Sequence, residues 1–205
     1  MLPLPPATQA LLLANVALFF LDRLLGNALF VPFALWPVDS GAFFPWQVGT
    51  YAFLHGSFEH LFYNMLGLWM FGGELETLWG RRRYLQFYAA SVLAAAAAQL
   101  LVNFALGSSA PTVGASGGLF GLLLAYGMIF PNRTILLFFV IPLQAKWLVV
   151  LYGGLELYQG VFLRGTGVAH FAHLGGMLGG WLMIRWWRGQ PPFGRGRGGS
   201  GRRLH

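Results

Sequence analysis

Ser116, His173, His60 and Asn64 carry the chemistry that this 205-residue sequence makes available. A serine hydroxyl is a poor nucleophile until a neighbouring imidazole takes its proton. Ser116 stands in Gly114-Ala115-Ser116-Gly117, a string too short to mean much alone. It also lacks the second spacer of the G-x-S-x-G turn of soluble hydrolases. His60 and Asn64 are four residues apart, which puts them on one face of a helix. A single histidine or asparagine in an apolar segment is usually a packed, hydrogen-bonding residue. The chain has no cysteine, so thiolate catalysis, disulfides and Cys-based metal sites are excluded. What raises these residues to a site is where the surrounding elements place them.

Those elements are apolar. Hydrophobic residues make up 57% of the chain and charged residues 9%, against about 25% charged in soluble domains. The mean hydropathy is +0.61. Disorder is excluded for most of the chain, and an all-α protein dissolved in lipid is expected. A helical span needs about 20 apolar residues. Six candidates appear, at about 9–31, 57–75, 84–106, 115–130, 146–163 and 168–187. Pro32, Pro37, Pro45, Gly80, the run 107–111, Pro131-Asn132, Pro142 and the run 165–167 separate them. They fill residues 1–188 as one domain and leave no room for a second. The Gly-, Pro- and Arg-rich segment 189–205 has almost nothing to bury and reads as a disordered basic tail. The first apolar run lacks a basic leader and a clear cleavage site, so a retained span is expected.

Charge placement sets the orientation. With a cytoplasmic amino terminus, the inner regions hold Arg81, Arg82, Arg83, Arg133, Lys146 and the six arginines from Arg185 to Arg203. The outer regions hold only Arg23 and Arg164. Basic residues near span ends stay inside, so both termini should be cytoplasmic. Basic clusters can also bind nucleic acid. These lie beside long apolar runs, so the partner expected is an anionic lipid face and no nucleic acid.

In that orientation the second, fourth and sixth spans all run inward from the outer face. Ser57 caps the second, with His60 in its first turn and Asn64 one turn below. Ser116 opens the fourth, and His173 lies about one and a half turns into the sixth. Four polar residues therefore share one depth. The fourth span, 15 residues from Ser116 to Phe130, reaches about 22 Å of a layer about 30 Å thick. Ser116 should be submerged, and irregular backbone at that depth must be covered by protein or line a wet cavity. Gly117/Gly121 on the fourth span and Gly175/Gly179 and Gly176/Gly180 on the sixth have the spacing of closely packed helices. These two spans are expected to touch, bringing Ser116 to His173.

The motifs His60-Leu61-Phe62-Tyr63-Asn64, Gly114-Ala115-Ser116-Gly117 and Ala172-His173-Leu174-Gly175-Gly176 resemble those of the rhomboid intramembrane serine proteases. So do the stretch from Trp46 to His55 and Gly72-Gly73-Glu74-Leu75-Glu76. The likeness covers about residues 9–188 and implies a minimal six-helix bundle with a membrane-lying first loop. It implies a Ser116–His173 dyad, with Ser116 as nucleophile and His173 as base. It assigns oxyanion stabilisation to His60, Asn64 and the Ser116 N–H. It implies transmembrane proteins as substrates, the lipid bilayer as setting and no cofactor. The compact form and basic tail point to a bacterial inner membrane. One departure is Trp46-Gln47, where some members carry Trp-Arg.

The remaining polar residues receive structural readings. No acidic third member is apparent, since Glu59 adjoins His60 and points elsewhere. Glu156, inside the fifth span beside Tyr152 and Gln159, reads as a locally hydrogen-bonded packing residue. His55 and His170 read as structural. Asp22 and Arg23 are expected to pair with each other or to reach toward the interface. No metal is expected, because no acid sits at ligand spacing from a histidine. Two other functions compete with proteolysis. A non-catalytic rhomboid-like binding or chaperone factor would have lost Ser116 or His173, and both are present. A transporter would show internal repeats, and none is evident. The oligomeric state is left open.

Overall fold

A computed structural model describes residues 4–137, 140–163 and 169–190. They are mostly helical. Six rods follow one another: α1 (Pro6–Leu24), α2, α3 (Arg81–Leu106), α4 (Ser116–Ile129), α5 (Ala145–Phe162) and α6 (His170–Trp187). Rod α2 runs in three pieces, an α-helical Phe58–Gly67, a π-helical Leu68–Gly72 and an α-helical Gly73–Trp79. By length and composition, α1 and α3 qualify as membrane-crossing helices, and α4 is a shorter apolar helix.

The rods coincide with the apolar runs, and the differences have local causes. The first ends at Leu24 rather than at 31, because Gly26 and Asn27 both turn to positive φ. It begins at Pro6, which suits a first helical position since no N–H is needed there. The buried Glu76 carboxylate closes that end, accepting from Ala7 N at 2.9 Å, Thr8 N at 2.7 Å and Thr8 Oγ1 at 2.8 Å. An acid suits the positive end of a helix. Asp22 and Arg23 do not pair with each other. Asp22 accepts from Leu29 N at 2.9 Å, and Arg23 donates to Asn27 Oδ1 at 2.6 Å and to Gly56 O at 2.5 Å. The arginine triplet belongs to the first turn of α3 rather than to a loop.

The chain is not wholly helical. Between α4 and α5, β1 (Thr134–Leu137) pairs antiparallel with β2 (Ile141–Gln144), Thr134 opposite Gln144 and Leu137 opposite Ile141. Two apolar strands here escape a helix reading because each is only four residues long. The run 165–167 and the tail beyond Gln190 lie outside the described residues.

Rod α4 is central. Its sequence is apolar on every side, which suits a helix surrounded by others, and nine of its 14 residues are buried. It packs against α2, α3, α5 and α6. The two glycine stripes of α6 divide between two neighbours. Gly176 and Gly180 face α4: a Cβ on Gly176 would overlap the Gly117 carbonyl oxygen, and one on Gly180 would stand 3.3 Å from Gly121 Cα. Gly175 and Gly179 face α3 instead, where a Cβ on Gly175 would meet Ala98 Cβ at 2.5 Å and Ala94 O at 2.8 Å. The expectation that α4 and α6 touch holds, and half of the α6 glycines serve a second interface.

Gly176→Ala is therefore expected to destabilise the protein by about 1–3 kcal/mol, since backbone must move to admit the methyl. Gly154→Ala, where nothing stands within 4 Å, is the matched control and should cost nothing. Thermal unfolding of the two variants in detergent micelles measures the difference.

Candidate active site

Ser116 is the first residue of α4. Two features aim it. Gly114 adopts φ +124°, open to glycine, and a Cβ there would fall 2.6 Å from His60 Nε2 and 3.6 Å from Ser116 Oγ. His60 and Ser116 therefore flank the same point. Ala115 offers no capping side chain, so the first-turn N–H groups of α4 are left for another acceptor.

His173 is buried in the first turn of α6, about half a turn nearer its start than the sequence suggests, because the helix begins at His170 rather than at 168. Its Nε2 lies 2.8 Å from Ser116 Oγ. Its ring stacks on Phe120, centroids 4.2 Å apart and planes 4° from parallel. Both Ser116 and Phe120 belong to α4, so one rod supplies the hydroxyl and the surface that fixes the imidazole plane. At this spacing the pair can pass a proton from hydroxyl to ring.

His60 and Asn64 occupy the first two turns of α2. Ser57 Oγ accepts from His60 N at 3.2 Å, the N-cap that its sequence position suggests. Asn64 is buried, and its Nδ2 donates to His60 O at 2.7 Å. His55 packs edge-on against His60 with ring centroids 5.0 Å apart.

The loop before α2 braces the serine segment. Leu35 and Thr112 exchange two backbone bonds of 2.9 Å, and Gly114 N donates to Tyr51 O at 2.9 Å. Tyr51 hydroxyl donates to Val92 O at 2.8 Å. Gln47, the departure noted in the sequence, holds the loop itself. Fully buried, it accepts from Trp36 N at 3.2 Å and donates to Ala42 O at 3.0 Å and Pro32 O at 3.3 Å.

The structure corrects the reading that no acid accompanies the pair. Glu156 Oε2 of α5 lies 3.0 Å from His173 Nδ1 and 2.6 Å from His170 Nδ1. The sequence showed an acid inside an apolar run, which is expensive unless partnered. It did not show that the partners lie on the next rod. Among the described residues, Glu156, His170 and His173 are also the one trio whose ligand atoms converge, within 4.8 Å of one another. Their spacing suits shared protons better than zinc. Ligands about 2.0–2.2 Å from a tetrahedral ion stand roughly 3.3–3.6 Å apart, and the contact of Glu156 with His170 is a hydrogen bond of 2.6 Å.

A family model for the Rhomboid domain matches residues 43–188, which include His60, Asn64, Ser116, Glu156 and His173. The chain belongs to the rhomboid family. Rhomboid protein 1, mitochondrial, of Saccharomyces cerevisiae is 38% identical over 136 residues, covering 64% of this chain and 38% of that protein. Rhomboid protease GlpG of Klebsiella pneumoniae is 29% identical over 177 residues, covering 80% of this chain and 61% of its own. The protein of the same name from Serratia proteamaculans is 28% identical over 187 residues, covering 88% and 62%. The chain thus spans 38–62% of the length of these rhomboid relatives.

His55 makes a pH prediction. It precedes α2, and burial together with the neighbouring His60 pushes its pKa down to about 3. The folded chain keeps it neutral, whereas the unfolded chain protonates it below about 6.5. The stability it supports is present above that pH and is lost as pH falls toward 3, about 2 kcal/mol by pH 5. His55→Gln should flatten the decline of Tm between pH 7 and pH 5. Equal slopes for the two proteins would contradict this.

Proposed function

We propose that the chain is an intramembrane serine endopeptidase that hydrolyses peptide bonds in or beside transmembrane segments of other membrane proteins. The observation that carries this reading is the 2.8 Å contact between Ser116 Oγ and His173 Nε2 at the start of two glycine-packed rods. His173 takes the serine proton as Oγ attacks the scissile carbonyl, then returns it to the departing amine. The uncapped start of α4 offers N–H groups and a positive dipole end to the tetrahedral oxyanion. His60 and the second amide hydrogen of Asn64 complete that hole. No cofactor takes part, and water for deacylation reaches the pair from the outer side.

The setting is a lipid bilayer crossed by all six rods. Supporting it, large apolar side chains stand exposed along α1 (Leu13, Val16, Phe20), α3 (Leu93, Leu101, Phe104) and α5 (Val150, Leu151, Leu155, Leu157). A water-soluble monomer rarely bares so much apolar surface. The distribution of basic residues supports cytoplasmic termini, and the compact form with its basic tail supports a bacterial inner membrane as the setting. Substrates reach the pair sideways from lipid, and their helix unwinds to present a carbonyl to Ser116.

Cleavage of a generic transmembrane reporter by the purified protein tests the reading. Ser116→Ala and His173→Ala should each lower turnover by at least about 10³-fold. His60→Ala should lower it by about 10²–10³-fold, the usual effect of removing one oxyanion donor. A folded wild type that binds such segments without cutting them would favour the chaperone alternative. Undiminished cleavage by Ser116→Ala would end the proposal.

A further inference from the structure

Glu156 sits where a third catalytic group would. Its Oε2 is 3.0 Å from the one ring nitrogen of His173 that does not face Ser116. The imidazole is thereby bounded on three sides: the serine at Nε2, the carboxylate at Nδ1 and the Phe120 ring across its face. A carboxylate at Nδ1 favours the tautomer with its proton there, which leaves the Nε2 lone pair for the serine. The contact is at ion-pair distance but lacks hydrogen-bond alignment. Catalytic contacts often tighten only when substrate binds. His170, one turn before His173, bonds the same oxygen at 2.6 Å and keeps the carboxylate turned inward.

We propose, resting on the peptidase reading above, that Glu156 is a positioning residue that converts the Ser116–His173 pair into a Ser–His–Glu triad, with His170 as its anchor. In acylation, Ser116 Oγ bonds to the scissile carbon and the carbonyl π electrons move to oxygen. The serine proton passes to His173 Nε2, and the resulting imidazolium lies against the Glu156 carboxylate, which itself takes no proton. Collapse of the oxyanion breaks the C–N bond, and the Nε2 proton leaves with the amine. The three groups come from three rods, so α5 does more than line the bundle: it sets the orientation of the base.

The test is steady-state cleavage of the transmembrane reporter, with the rate of fluorophosphonate labelling at Ser116, on the full chain in micelles. Glu156→Gln should lower kcat and the labelling rate on the order of 10²-fold, with KM within about twofold of wild type. A latch that only joins α5 to α6 would shift Tm and leave kcat of the folded fraction unchanged, and that result overturns the proposal. Should Glu156→Gln fail to fold, Glu156→Asp draws the carboxylate back by one methylene. Its labelling rate should fall about tenfold, and full-rate labelling overturns the proposal. Parallel Ser116→Ala and His173→Ala samples separate the two hypotheses. If both are inactive while Glu156→Gln is fully active, only the triad fails. If either one cleaves normally, the peptidase reading fails.

Discussion

The contact between the Gly117 and Gly176 backbones governs the molecule. Two helices carrying ordinary side chains pack with axes about 8–10 Å apart. Here one glycine of α6 lies directly against a carbonyl of α4, with no space for a methyl group. Ser116 adjoins one side of that contact, and His173 lies three residues before the other. Close backbone approach therefore sets the distance between hydroxyl and imidazole. The rest of the fold holds that approach in place: α3 presses small residues against the other α6 stripe, and the loop before α2 pins the backbone that leads into Ser116.

In so apolar a chain, each polar side chain turned inward needs a partner. Of six acidic residues, Asp22, Glu76 and Glu156 point into the protein, and each joins two segments. Asp22 ties the end of α1 to the loop that follows, Glu76 ties the start of α1 to α2, and Glu156 ties α5 to α6. Gln47 does the same for the first loop with an uncharged amide. Polar contacts of this kind add specificity to packing that apolar surfaces alone leave degenerate.

The sequence made the rods legible because long apolar runs are bounded by Gly and Pro, whose effects are local. It made the Ser116–His173 approach legible because the glycine spacing repeats on both rods. It was less informative where the outcome depends on contacts between distant segments. Both α6 stripes have the same spacing, so nothing local says that Gly175 faces α3 while Gly176 faces α4. The early end of α1 follows from two left-handed residues, and asparagine declares that conformation only weakly. The hairpin at 134–144 is too short for periodicity to register. Glu156 is legible as an acid among apolar residues, but Tyr152 and Gln159 on the same rod offer it local partners, and nothing local points to the histidines one rod away.

The most direct measurement of the central claim is an experimental structure of the protein after reaction with a fluorophosphonate. Phosphorus should be bonded to Ser116 Oγ, its oxygen turned toward His60 and the start of α4, with His173 still stacked on Phe120. Phosphorus on any other residue, or an imidazole swung away from the modified serine, would contradict it.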